Sequence, residues 1–243
     1  GGDRIRGDRN PRRVVSFAAG PVIEHPSPNF GKRRDGLLPD LVVLHYTVLP
    51  AAEALDRLCD PAHEVSAHYL ITKDGRLYRL VAEASRAWHA GAGNWAGRGD
   101  VNSRSIGIEL ENSGQTPFSE PQMARLELLL SDILDRWEIG PEGVIGHQDF
   151  APCRKFDPGP RFDWRRLTLG GLSIWPEPGE PVTPDPDTFL ADVGTFGYPA
   201  EDGLEPVLAA VRARFRPFAK GPLSPADMAL AAGLAVDRGP AKA

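Results

Sequence analysis

Leu41-Val42-Val43-Leu44 runs straight into His45-Tyr46-Thr47. A short continuous apolar run rich in β-branched residues reads as a strand buried on both faces, the kind found inside an α/β sheet. His45 then falls at the carboxyl end of that strand. A lone histidine at such a place is ordinarily structural. It gains meaning if the fold carries it to other groups of the same chemistry, and the chain offers some. Val144-Ile145-Gly146 is a second apolar run that ends on a histidine, His147, at the mouth of another strand. Gln148-Asp149-Phe150-Ala151-Pro152-Cys153-Arg154-Lys155-Phe156-Asp157-Pro158-Gly159-Pro160 follows, punctuated by Pro and Gly as functional surface loops are. Asp157 precedes a proline and is therefore driven to extended backbone. Lys155, two residues earlier, shares its side of the chain. Imidazole and carboxylate are both good zinc ligands.

Between these runs lies Ser105-Ile106-Gly107-Ile108-Glu109-Leu110-Glu111. Its alternation puts Ile106, Ile108 and Leu110 on one face and Gly107, Glu109 and Glu111 on the other. Acidic groups on a strand are ordinarily solvated. One facing a metal pocket would be a natural general base. The remaining segments frame these strands. Pro50 to Asp60 reads as a helix with Leu55, Leu58 and Cys59 on its apolar face. Residues 66–81 read as a hairpin turning at Lys73-Asp74-Gly75, with His68 as a hydrogen-bonded sheet histidine. Trp88-His89-Ala90-Gly91-Ala92-Gly93-Asn94-Trp95 is a Gly-rich loop whose tryptophans serve either as ligand platforms or as core plugs. Ser119 and Gln122 form a capping box for a helix whose stripe runs Met123, Leu126, Leu130, Ile133, Leu134 and Trp137, stopped by Gly140-Pro141.

At 243 residues the chain builds one sizeable core, or a domain with a small appendage. A formal charge of −5 argues against a general nucleic-acid or anionic-membrane binder. No apolar run approaches the ~20 residues of a membrane span. Cys59 and Cys153 show neither a disulfide framework nor a metal knuckle, so free thiols in a reducing compartment are expected. The start, Gly1-Gly2-Asp3-Arg4, carries no apolar signal core. Together these favour the cytoplasm, with the periplasm as the alternative. Residues 1–35 hold Arg4, Arg6, Arg9, Arg12, Arg13 and the patch Lys32-Arg33-Arg34, and read as an irregular arm. A Pro-rich stretch over 176–186 has linker composition. Three short helical patterns follow, one with the stripe Leu204, Val207, Leu208, Val211 and Phe215, the last opening at Ser224-Pro225. A module of about 50 residues is near the lower limit for independent stability.

Several motifs stand in order: Val-Ser-Ala-His-Tyr-Leu-Ile, Ala-Trp-His-Ala-Gly, Ser-Ile-Gly-Ile-Glu-Leu-Glu-Asn, Gly-His-x-Asp and Arg-Lys-x-Asp-Pro-Gly-Pro. With His45 at its strand end, they make the chain resemble the type 2 N-acetylmuramoyl-L-alanine amidases over residues 27–167. That family takes in bacterial cell-wall recycling amidases, phage amidases and animal peptidoglycan recognition proteins. The resemblance implies an α/β fold, a central mixed β-sheet flanked by helices, over residues 27–175, with residues 1–26 as an arm. After the linker at 176–186, residues 187–243 resemble a small all-α peptidoglycan-binding-type domain, through Phe196-Gly197-Tyr198 and Ala213-Arg214-Phe215-Arg216-Pro217.

The resemblance further implies one zinc ion per chain, held by His45, His147 and Asp157. Glu109 matches the general base, with Glu111 as fallback, and Lys155 matches the lysine that steadies the oxyanion. Tyr46, Trp88, His89 and Asn102 match positions that line the substrate cleft. Cys153 is expected to be a buried thiol rather than a ligand. The implied reaction is zinc-dependent hydrolysis of the amide between N-acetylmuramic, or 1,6-anhydro-N-acetylmuramic, acid and the L-Ala of the stem peptide. It would serve peptidoglycan degradation and recycling, with muropeptides and anhydromuropeptides as partners. The rival from another class is a non-catalytic muropeptide-binding protein. A structural zinc protein is disfavoured, because such sites are closed and rich in cysteine.

Overall fold

The computed structural model describes residues 20–236, so the arginines between Arg4 and Arg13 lie outside the described residues. In chain order the strands are β1 (Val22–Glu24), β2 (Phe30–Lys32), β3 (Leu41–Tyr46), β4 (Tyr69–Ile71), β5 (Leu77–Arg79), β6 (Ser85–Ala87), β7 (Ser105–Leu110) and β8 (Val144–Gly146). The helices are α1 (Ala51–Cys59), α2 (Val101–Arg104), α3 (Glu120–Trp137), α4 (His147–Phe150), α5 (Trp164–Leu169), α6 (Pro186–Phe196), α7 (Leu204–Phe215) and α8 (Pro225–Val236). Among the described residues six strands form one mixed sheet in the order β1-β5-β4-β7-β3-β8. The β4–β5 hairpin is antiparallel, and β3 runs parallel to both β7 and β8. β2 and β6 make a separate antiparallel pair.

Register decides which side chain faces which layer. Val42 and Leu44 of β3 share a cluster with Ile106, Ile108 and Leu110 of β7 and the apolar stripe of α3. The alternate positions Leu41 and Val43 turn the other way, joining Trp95, Ile145 and Phe150. That second cluster also contains Phe189, Val193, Phe196, Val207, Val211, Phe215 and Leu234. The last three helices therefore pack into a core they share with the sheet. Each large apolar side chain buried there contributes about 1.5–3 kcal/mol.

Part of the expected arm is not irregular. Val22–Glu24 pairs in parallel with β5 at the sheet edge, and Phe30–Lys32 pairs with β6. Three-residue strands are too short to show a period, and backbone pairing does not depend on side-chain polarity. Arg33 is not a free basic group either. Its guanidinium donates to the carbonyls of Glu83, Ser103 and Ser105. The capping box also fails. Ser119 Oγ donates to the Lys73 carbonyl, and the buried Gln122 donates to the carbonyls of Ile71 and Glu111. Both side chains tie α3 to the strand ends instead of closing its own first turn. Among the described residues no helix is long and apolar enough to cross a membrane.

Candidate active site

His45 and Glu109 are register partners on β3 and β7, so both project from the same face of the sheet. β8 stops at Gly146, and the chain turns at once into α4, whose first residue is His147. The Gly146 N–H is held by Asp149 Oδ2 at 2.8 Å. The loop after α4 folds back, with the Gln148 N–H donating to the Asp157 carbonyl at 2.9 Å. Three side chains far apart in sequence converge. His45 Nδ1 lies 2.9 Å from His147 Nδ1 and 2.9 Å from Asp157 Oδ2, and His147 Nδ1 lies 3.1 Å from the same oxygen. All three residues are buried.

The donor set fits a cation. His147 Nε2 sits 3.0 Å from the Ala90 carbonyl, which can only accept. The ring proton is therefore on Nε2, and Nδ1 turns a bare lone pair to the cluster. Burial pushes the His147 imidazolium down to about 4, so the ring is neutral at ordinary pH. Two imidazoles and one carboxylate are a ligand set typical of zinc sites that keep a position open.

A cavity of about 510 Å³ opens over this cluster and reaches Glu109, Lys155, Tyr46, Trp88 and His89. Glu109 Oε2 is buried and has no hydrogen-bond partner among the described residues. Burial, opposed by His45 and Lys155 and aided by Asp157, pushes its carboxyl up to about 7. Glu111 is committed elsewhere: its carboxylate accepts the N–H groups of Ala51 and Lys73 at 3.1 and 2.9 Å. Both oxygens of the fallback base are thus occupied by backbone donors. Asn102 lines an adjoining cavity of about 600 Å³. Its Oδ1 accepts the N–H groups of His89 and Ala90 at 3.0 and 2.8 Å, so it shapes the Trp88–Ala90 segment. Trp95 is a core plug, fully buried, whereas Trp88 borders both cavities. His68 is the sheet histidine expected, accepting the Gly107 N–H at 2.9 Å.

Cys153 departs from expectation. It is exposed, with its sulfur 3.8 Å from the Asp202 carbonyl, because the turn after α4 points it outward. Sequence reasoning also missed three residues around the site. Arg154 reaches the carbonyls of Ala90 and Ala92 and pins the Gly-rich loop. Asp149, inside the Gly-His-x-Asp motif, pairs with Arg214 of α7 at 2.8 Å, both side chains fully buried. No local pattern marks such a pair, although both residues stand in motifs quoted above.

A mixed α/β sheet that gathers two imidazoles and a carboxylate, a set that could hold a metal ion, under an open cavity with an unpaired buried glutamate beside them has the layout of a hydrolase site. The family match narrows the class. The N-acetylmuramoyl-L-alanine amidase family matches residues 35–160, and the chain belongs to it. It is 36% identical to the N-acetylmuramoyl-L-alanine amidase AmiD of Escherichia coli, over 73% of this chain and 75% of AmiD. It is 37% identical to the 1,6-anhydro-N-acetylmuramyl-L-alanine amidase AmpD of the same organism, over 59% of this chain and 88% of AmpD. The structure of AmiD with its substrate anhydro-N-acetylmuramic acid-L-Ala-D-γ-Glu-L-Lys matches with a TM-score of 0.75 and 33% identity, covering 86% of this chain and 93% of that one. AmpDh3 from Pseudomonas aeruginosa matches with a TM-score of 0.76 and 29% identity, covering 93% and 98%.

Proposed function

We propose that this chain hydrolyses the amide between N-acetylmuramic acid, or its 1,6-anhydro form, and the L-Ala of the stem peptide, with one zinc ion per chain held by His45, His147 and Asp157. The observation that carries the reading is the convergence of three lone-pair donors beside a buried, unpaired Glu109. The solved relatives support the substrate class, since AmiD and AmpDh3 are seen with an anhydromuramoyl tripeptide and an anhydromuramic pentapeptide. When bound, the ion supplies Lewis acidity, polarising a carbonyl and acidifying water toward neutrality.

The chain's own residues do the rest. Glu109 takes a proton from the attacking water and delivers it to the departing amine, a duty suited to a buried carboxylate whose Oε2 has no hydrogen-bond partner among the described residues. Lys155, on the cavity wall, faces the negative charge that develops on the carbonyl oxygen. A positioned donor of this kind is worth about 3–4 kcal/mol. The C–N bond breaks, the water oxygen remains on the lactyl carbon as a carboxylate, and L-Ala leaves with a free amino group. Tyr46 and Trp88 wall the cavity against the sugar and the peptide. The unit boundaries belong to the same proposal: a catalytic unit over 27–175, a connection over 176–186, and helices from 187 onward. The lack of helix or strand over residues 176–185 supports it.

Mass spectrometry of muropeptides incubated with the protein tests the reading. Stem peptides with a free L-Ala terminus are expected, none in the presence of chelator, and full return on adding zinc. Retained binding with no cleavage under any metal condition would make the chain a muropeptide-binding protein. Comparing intact sacculi with soluble anhydromuropeptides separates work on polymeric wall from work on released fragments.

A further inference from the structure

Behind His45, on the side away from Asp157, stands a second line of polar groups that the reaction above does not use. Ser105 Oγ donates its one proton to the Val101 carbonyl at 2.6 Å. The same oxygen lies 3.3 Å from His89 Nε2, so it can only accept there, and His89 carries its proton on Nε2. A neutral imidazole has one N–H, which leaves His89 Nδ1 as an acceptor. His89 Nδ1 is 3.0 Å from His45 Nε2, and therefore His45 donates to it. His45 Nδ1 is left bare, aimed at His147 and Asp157. One serine hydroxyl thus settles, through two rings, which nitrogen of His45 is free to bind a cation.

The ring of His89 is also seated. A Cβ on Gly107 would come within 2.4 Å of its Cγ, so only glycine at 107 lets the ring lie against β7. Its backbone N–H is held by Asn102 Oδ1. It meets the His45 ring edge-on, with centroids 5.1 Å apart. Groups that hydrogen-bond a ligand histidine fix its tautomer and angle, and losing one lowers metal affinity by about 10–100-fold.

We propose that His89 is a positioning residue for the metal site, fixing the tautomer and orientation of His45, and that Ser105 and Gly107 fix His89 in turn. The inference rests on the zinc reading given above, and one set of measurements separates the two. Zinc affinity is measured by competition with a chromophoric chelator for the full chain and for His89→Phe, Ser105→Ala and Gly107→Ala. The visible spectrum of each cobalt-loaded protein is recorded alongside. The unaltered chain is expected to bind one zinc tightly. His89→Phe is expected to lose about 10–100-fold in affinity and to shift the cobalt bands. Ser105→Ala should move in the same direction by less, with no additional loss in the His89→Phe background. An unaltered chain that binds no zinc removes both readings. Zinc affinity and cobalt bands unchanged in His89→Phe, with only the melting temperature lowered, would leave His89 a packing residue and overturn this inference alone. Histidine ¹⁵N spectra of the metal-free wild-type chain need no variant. Protons on Nε2 of both His45 and His89 are expected, and a proton on Nδ1 of His89 refutes the relay.

Discussion

Two buried polar clusters start from the same turn, α4, and are built in opposite ways. Asp149 enters a closed one. Its Oδ1 accepts the Tyr198 hydroxyl at 3.0 Å, and its Oδ2 accepts the Gly146 N–H and Arg214 Nη1, both at 2.8 Å. Arg214 passes on to the Val144 carbonyl and Ser173 Oγ and lies over the Trp164 ring at 4.2 Å. Opposite charges cancel, and most polar atoms are served from within. His147, two residues earlier, enters an open cluster in which His45 Nδ1, His147 Nδ1 and Asp157 Oδ2 face one another across about 3 Å, a set that could converge on one cation. A closed cluster holds the fold together. An open one stores an unmet demand for positive charge, and chemistry can use that demand.

Breaking the open cluster has the largest effect. His147→Ala, His45→Ala or Asp157→Ala removes bound zinc, read by metal analysis, and cuts turnover by roughly 10³-fold or more, as when a member of a catalytic unit is lost. Metal-free stability falls as well in the histidine variants, by about 1–3 kcal/mol, because His147→Ala removes a donor from the Ala90 carbonyl and His45→Ala removes the donor to His89 Nδ1. Chelating the wild-type protein also lowers its stability, by about 4 kcal/mol if zinc had stood at 1,000 times its Kd. Glu109→Gln comes next. Zinc content stays at the wild-type level while kcat falls by about 10²–10⁴-fold.

The closed cluster breaks differently. Arg214→Met strands the Asp149 carboxylate in the core and costs about 3–5 kcal/mol in urea unfolding. Asp149→Asn combined with Arg214→Met costs less than Arg214→Met alone, because no charge is left unpaired. At temperatures where the variant is folded it keeps its zinc. Loss of zinc before loss of structure would show that the two clusters are one unit. It would also make α7 part of the site rather than of its support.

The same contrast explains how far the sequence could be read. Val42-Val43-Leu44, Ile106-Gly107-Ile108 and Val144-Ile145 announce strands through apolar runs and alternation, so the carriers of His45, Glu109 and His147 were legible. The Pro- and Gly-marked loop after His147 was legible as well, and the structure brings Asp157 from it to the two histidines. What stayed hidden depends on partners distant in sequence. Arg214 meets Asp149 across 65 residues, and Ser119 and Gln122 serve strand carbonyls instead of their own helix. Val22–Glu24 is held by backbone pairing with β5 and by the ion pair of Glu24 with Arg79, 55 residues away. The outward turn of Cys153 is a matter of loop geometry that residue type does not encode.

His68 provides the gentlest probe, because it is a closed site made of a single histidine. Its Nδ1 accepts the Gly107 N–H at 2.9 Å, and its Nε2 donates to the Ser85 carbonyl at 3.1 Å. The ring is fully buried, and burial, helped by the nearby Arg33, pushes its pKa from 6.5 down to about 3. Between those two values the unfolded chain holds a proton that the folded chain refuses. Stability contributed by His68 is therefore complete above pH 6.5 and drains away as the pH falls toward 3. The loss amounts to at most about 1.4 kcal/mol per pH unit. His68→Gln can serve both the amide and the carbonyl without titrating, so the pH slope of its unfolding free energy in urea should be flatter than wild type by up to that amount. Parallel slopes for the two proteins would mean that His68 is charged in the fold, and that its neighbours form an open cluster rather than a closed one.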